Sequence, residues 1–208
     1  MTRSSLRATD RRRRLEKSEP AIHSSGSDDA VDVDFLPTAA LPVTGRLGLT
    51  SAPGAKYGPL QRDLETDMSR LREAFGARVV VSFLVDSELA LLGIPDHESV
   101  ARAHGIRVYR LPIPDGGVPA SMEDVVQLVR VVVEWLEGGE TVVLHCRAGL
   151  GRSGLFAASC LVAVGHEPDE AVRIVQAARP GAVETPDQRG FVGLFAVAWR
   201  HKTATLGS

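Results

Sequence analysis

Residues 145–154 read His-Cys-Arg-Ala-Gly-Leu-Gly-Arg-Ser-Gly and place a thiol, a glycine-bearing loop and a guanidinium within one short turn. With two cysteines and twenty-one arginines in 208 residues, cysteine followed six positions later by arginine arises by chance at roughly 0.2. Adding His145, Gly149, Gly151 and Ser153 lowers that figure to on the order of 10⁻⁵. Such a turn suits holding a phosphate-like anion beside a thiolate. The amides of Arg147, Ala148, Gly149, Leu150, Gly151 and Arg152 are expected to converge on one point, where the positive end of a following helix adds to them. Gly149 and Gly151 are read as accepting positive φ, so that the backbone curls into a nest. Arg152 closes the nest with a two-pronged contact that lysine cannot reproduce. The same amides and charge favour the ionised form of Cys146, the expected nucleophile. The plainer alternative is a buried structural cysteine at the end of a core strand.

The neighbouring segments position that turn. TVVLHC, residues 141–146, is a β-branched apolar run of the kind that forms a buried parallel strand. Ser153 is followed by GLFAASCLVAV, long enough for about three helical turns, so Ser153 reads either as the helix cap or as a hydroxyl that stabilises the Cys146 thiolate. Further strands are expected at 46–49, 78–84 and 106–111. Helical patterns run over 62–75, 97–104, 121–136 and 186–201, and another opens at Pro168. Alternation of this kind implies an α/β fold with a mainly parallel central sheet flanked by helices on both faces, and ligands bound at the carboxyl ends of the strands.

On these residues the chain resembles the protein-tyrosine and dual-specificity phosphatase superfamily, whose signature is His-Cys-x5-Arg followed by Ser or Thr. Three further blocks, RLGLTSAPG at 46–54, LPIPDGGVP at 111–119 and PGAVETPDQ at 180–188, are similar to the subgroup typified by the kinase-associated phosphatase. The resemblance implies a cysteinyl-phosphate on Cys146, with Asp115 of Pro-Asp-Gly-Gly as general acid, on a mobile loop, and later as base toward water. It also implies that His145 orders the loop without transferring protons. Gln188 matches a position near the attacking water, although Thr185-Pro186-Asp187-Gln188 reads equally as a helix-capping box. Asp115 likewise has a turn-forming alternative. Cys160 falls in the helix after the loop and reads as core.

A phosphorylated protein is the substrate these features imply, because Ala148 and Leu150 stand where a lysine-rich loop would favour a polyanionic inositol phosphate. A kinase partner is left open. The alternatives are a rhodanese-type sulfurtransferase, which would not need Asp115, and a non-catalytic phosphoprotein-binding module, which would not need the thiol. No cofactor is expected, and the six dispersed histidines lack metal-ligand spacing. Residues 1–35 have little apolar content and seven basic against seven acidic residues, so they read as a disordered tail with no net charge, not as a nucleic-acid or membrane anchor. The phosphatase domain is expected over 36–202, with residues 203–208 as a disordered end. No run of eighteen apolar residues suggests a membrane span, and a cysteine that must stay reduced fits a cytoplasmic setting.

Overall fold

The computed structural model describes residues 30–58 and 60–206. A five-stranded sheet has the order β1 (Asp34–Phe35), β2 (Arg46–Thr50), β7 (Thr141–His145), β5 (Ala77–Ser82), β6 (Arg107–Arg110). All neighbours run parallel except β1, which pairs antiparallel with the outer edge of β2. A two-stranded hairpin, β3 (Lys56–Tyr57) and β4 (Leu60–Gln61), lies apart from it. The helices are α1 (Leu64–Glu73), α2 (Asp86–Leu91), α3 (His97–Ala103), α4 (Met122–Glu137), α5 (Gly151–Ala163), α6 (Pro168–Ala178) and α7 (Pro186–Leu206).

Side-chain alternation along the central strands sorts the core into two layers. Leu47, Leu49, Val79, Val81, Val142 and Leu144 pack with α4, α5, α6 and α7 on one face. Val80 and Val143 pack with Met68 and Leu71 of α1 and Ala101 of α3 on the other. Both faces are therefore covered, which explains why Val142, Val143 and Leu144 form an unbroken apolar run. Helix α5 is enclosed on all sides, and every residue from Gly151 to Val162 is buried. Its small residues permit this: a Cβ on Gly154 would lie 2.8 Å from the Val183 nitrogen.

Helix ends follow their capping residues. Asp63 caps α1 by accepting from Thr66 N–H at 2.8 Å, and those bonds hold its carboxyl below the usual range. Ser121 caps α4 through Asp124 N–H at 3.1 Å, and Pro168 opens α6. Because Asp63 is the cap, α1 starts at Leu64 instead of 62. Arg62 is instead buried against Asp67 at 3.0 Å.

Several boundaries differ from those read in the sequence. The packed unit begins before residue 36: Val31 and Val33 are buried, Val31 N–H donates to Asp67 Oδ1 at 3.1 Å, and β1 joins the sheet. The alternating Val31-Asp32-Val33-Asp34-Phe35 run is a short strand pattern that the polar tail composition masked. Helix α7 continues to Leu206, past the boundary expected at 202. Residues 1–29 of the expected tail, and 207–208, lie outside the described residues. The hairpin, β1 and α2 span only two to six residues each, too few for a periodic pattern to stand out in the sequence.

Candidate active site

Strand β7 ends at His145, and the chain turns through residues 146–150 into α5. A loop binds an anion when its amides face inward, which for a trans peptide requires the carbonyl of the same peptide to face outward and find a partner there. Four carbonyls have such partners. His145 Nδ1 lies 3.4 Å from the Cys146 carbonyl, and Ala52 N–H donates to that of Arg147 at 3.0 Å. Arg179 Nη2 donates to the Ala148 carbonyl at 2.8 Å, and Gly154 and Val183 N–H share that of Leu150 at 2.9 and 3.3 Å. The amides of Arg147, Ala148, Gly149 and Gly151 are thereby turned away from these partners and toward the loop's interior. Arg179 also reaches Asp34 Oδ2 at 2.5 Å, so the first strand braces the loop.

The two loop glycines serve different ends. Gly149 has φ +73°, and a Cβ there would run into the Thr50 carbonyl, so both conformation and space demand glycine. Gly151 does not have positive φ, contrary to the sequence expectation. It is the first residue of α5, where a Cβ would meet the ends of the Glu184 and Gln188 side chains.

Arg152 is 1% exposed and its guanidinium is held from three sides. Nη1 and Nη2 donate to Glu88 Oε2 and Oε1 at 2.7 and 2.9 Å, a bidentate pair. Nη1 also donates to the Ile113 carbonyl at 2.8 Å, and Nη2 to Asp115 Oδ1 at 2.9 Å. Burial alone would raise the Glu88 carboxyl, yet the Arg152 hydrogen bonds, the Val85 N–H and the Arg152 and Arg147 charges together outweigh it and hold it below its ordinary value. Burial disfavours the Arg152 charge, and Glu88, then Cys146 and Asp115, outweigh this and raise it. Sequence reasoning missed Glu88, whose only signal was an acidic first turn in α2. Glu88→Gln removes the charge from a nearly enclosed pair, and kcat/KM on an aryl phosphate is expected to fall about 10- to 100-fold, the equivalent of a lost charged hydrogen bond. Steady-state kinetics with a thermal melt checks this; unchanged kinetics would show that Arg152 needs no such orientation.

The sequence model of the cyclin-dependent kinase inhibitor 3 family matches residues 13–172. The chain belongs to that family. Cyclin-dependent kinase inhibitor 3 of Rattus norvegicus is 27% identical over 168 residues, covering 79% of this chain and 78% of the relative. The crystal structure of kinase associated phosphatase with serine in place of its catalytic site cysteine superposes with a TM-score of 0.77 at 24% identity, covering 84% and 98% of the two chains. Tk-PTP in its active form superposes at 0.64 with 28% identity, covering 79% and 96%. This member of the cyclin-dependent kinase inhibitor 3 family is a cysteine-based phosphatase of the protein-tyrosine and dual-specificity kind.

In this family member Cys146 is itself 3% exposed, Asp115 meets Arg152, and Gln188 lies beside Gly151. Asp115 lies between β6 and α4 on a turn closed by Gly117 N–H to the Pro114 carbonyl at 2.9 Å, with Gly116 at φ +70°. The turn-forming reading of Asp115 thus coexists with its bond to Arg152. Arg147 is at the rim, 3.9 Å from Asp115 Oδ2 and with its guanidinium 5.5 Å from the Tyr57 ring centre. Ser153 cannot cap α5, because the helix begins two residues earlier, at Gly151; its Oγ is buried with no hydrogen-bond partner among the described residues. Gln188 closes the capping box: its N–H donates to Thr185 Oγ1 at 3.2 Å, and its Oε1 accepts from Thr185 and Glu184 N–H at 3.3 and 2.9 Å. Its Nε2 donates to Gly117 O at 3.2 Å, tying α7 to the Asp115 turn. Cys160 is fully buried in α5, and burial pushes its thiol well above the ordinary range.

Behind the loop, His145 and His97 are both fully buried, with their Nε2 atoms 3.0 Å apart. Burial, then the Arg110 charge, lowers His97 to about 4. Burial and the His97 ring lower His145 as well. Between about pH 6.5 and 4 the unfolded chain therefore binds protons that the folded chain does not, and stability falls as pH falls through that window. His97 alone contributes a slope of up to about 1.4 kcal/mol per pH unit. Glu88 acts in the same sense only below its ordinary value of 4.5, so the window above that belongs to the histidines. Urea unfolding at pH 7 and pH 5 is expected to show a lower midpoint at pH 5; a flat midpoint would mean that the pair is not neutral in the folded state.

Proposed function

We propose that this phosphatase hydrolyses phosphoproteins through a covalent cysteinyl-phosphate, with Cys146 as nucleophile and Asp115 as the proton donor. The observation that supports this most directly is the meeting of Asp115 Oδ1 and Arg152 Nη2 at 2.9 Å. The carboxyl thus sits at the guanidinium that would hold a phosphate, and beside the loop whose carbonyls are turned outward. In the first step the Cys146 thiolate bonds to phosphorus, the bond to the serine, threonine or tyrosine oxygen breaks, and that oxygen takes the Asp115 proton. In the second, water bonds to phosphorus, Asp115 accepts its proton, and the sulfur leaves as thiolate. The inward amides of Arg147, Ala148, Gly149 and Gly151, with Arg152, hold the equatorial oxygens in both steps. Their fixed orientation matters more than any single bond, because no reorganisation is then needed as charge redistributes. The unpartnered Ser153 hydroxyl suits stabilising the departing sulfur, and Gln188, beside Gly151, would border the water.

The name of the family's relatives points to kinases, so a phosphorylated kinase segment belongs among the first substrates tried. A reduced nucleophile fits action in the cytoplasm. The decisive experiment is hydrolysis of phosphothreonine, phosphoserine, phosphotyrosine and phosphoinositide substrates by the purified protein in the presence of a chelator. Turnover of phosphopeptides is expected with chelator present. Turnover confined to phosphoinositides, or lost with chelator, would overturn the reading.

A further inference from the structure

We infer that His97 is a positioning residue for the phosphate loop, acting through His145 to set which way the Cys146–Arg147 peptide faces. This rests on the proposed role of Cys146. Two ring nitrogens 3.0 Å apart need one proton between them, because two would collide and none would leave two lone pairs facing. His145 Nδ1 faces a carbonyl, that of Cys146, which accepts only. Nδ1 must then carry the hydrogen, leaving His145 Nε2 bare. It follows that His97 Nε2–H is the donor and that His97 Nδ1 is a bare acceptor. That atom is buried with no partner, as an acceptor at the end of a chain would be. The order His97 Nε2–H to His145 Nε2, then His145 Nδ1–H to Cys146 O, runs in one direction.

The consequence reaches the anion. With its carbonyl drawn toward His145, the Cys146–Arg147 peptide turns the Arg147 amide the opposite way, into the nest. Without His97, His145 can move its hydrogen to Nε2, and its Nδ1 lone pair would then face the carbonyl and repel it. The charges near the pair are guanidinium groups: Arg110 of β6 toward His97, and Arg152 of α5 and Arg62 ahead of α1 toward His145. Each opposes an imidazolium, which keeps one hydrogen per ring. The segment 86–97 thus supports the loop twice, Glu88 by holding Arg152 and His97 by holding His145.

The test compares His97→Leu, which cannot donate, with His97→Gln, whose amide can reach the His97 Nε2 position. His97→Leu is expected to lower kcat/KM on an aryl phosphate about tenfold, the rate equivalent of one net buried hydrogen bond, and to move the pH midpoint of iodoacetate inactivation upward. His97→Gln is expected to restore most of both. A folded His97→Leu with unaltered kinetics and midpoint overturns the inference. Should the leucine variant not fold, nitrogen-15 NMR of the unaltered protein decides: hydrogen on His145 Nδ1 and on His97 Nε2 supports it, and hydrogen on His145 Nε2 overturns it. If the unaltered protein still turns over after alkylation, the nucleophile assignment has failed, and the NMR result still decides the pairing.

Discussion

The Cys146→Ser variant is expected to lose turnover by on the order of 10⁴-fold or more while still capturing phosphopeptides. A serine hydroxyl is far less acidic than a thiol, so the loop amides and Arg152 cannot hold it ionised at neutral pH. The cradle itself is untouched. Its carbonyls remain turned toward Ala52, Arg179, Gly154 and Val183, and Glu88 still grips Arg152. Affinity and turnover therefore separate. Calorimetry with a phosphopeptide, alongside mass spectrometry of acid-quenched turnover, reads both: the unaltered chain should show phosphorus on Cys146, and the variant should bind without forming it. Retained turnover in the variant would exclude the sulfur nucleophile.

Asp115→Asn separates substrates by their leaving group. An asparagine keeps the shape and still faces Arg152, but it has no proton to give. A serine or threonine alkoxide leaves poorly unprotonated, so loss on such peptides should approach the upper part of about 10²–10⁴-fold. An activated aryl phosphate, whose phenolate leaves readily, should lose far less. The carboxyl is 61% exposed and bonded to Arg152, so it lies where bulk water meets the guanidinium that a phosphate would take. Equal loss on both substrate types would assign Asp115 to phosphate binding through Arg152 and not to proton transfer.

The site was legible wherever its residues are neighbours in the chain. The turn from strand to helix, the Cys146 and Arg152 spacing and the positive φ of Gly149 are local: they depend on a β-branched run, a glycine and an apolar helical stretch within about twenty residues, whereas the Thr50 carbonyl that also excludes a Cβ from Gly149 comes from a distant strand. Asp115 could be named only through its Pro-Asp-Gly-Gly block and a family likeness. Local reading also had limits at element ends. It placed Ser153 at the helix start, whereas Leu150 precedes a helix that already begins at Gly151, a glycine that propensity disfavours in a helix and that tertiary packing accepts.

What the sequence determined by itself was a mainly parallel α/β sheet and one strand-to-helix turn built for an anion beside sulfur, because periodicity and turn chemistry act between near neighbours. The tertiary structure alone decided what holds that turn. Glu88 meets Arg152 across 64 residues, His97 meets His145 across 48, and Arg179 reaches Ala148 across 31. Such partners leave no periodic trace, since a buried carboxylate or imidazole satisfies its hydrogen bonds with whatever group the packing of helices on the sheet brings beside it.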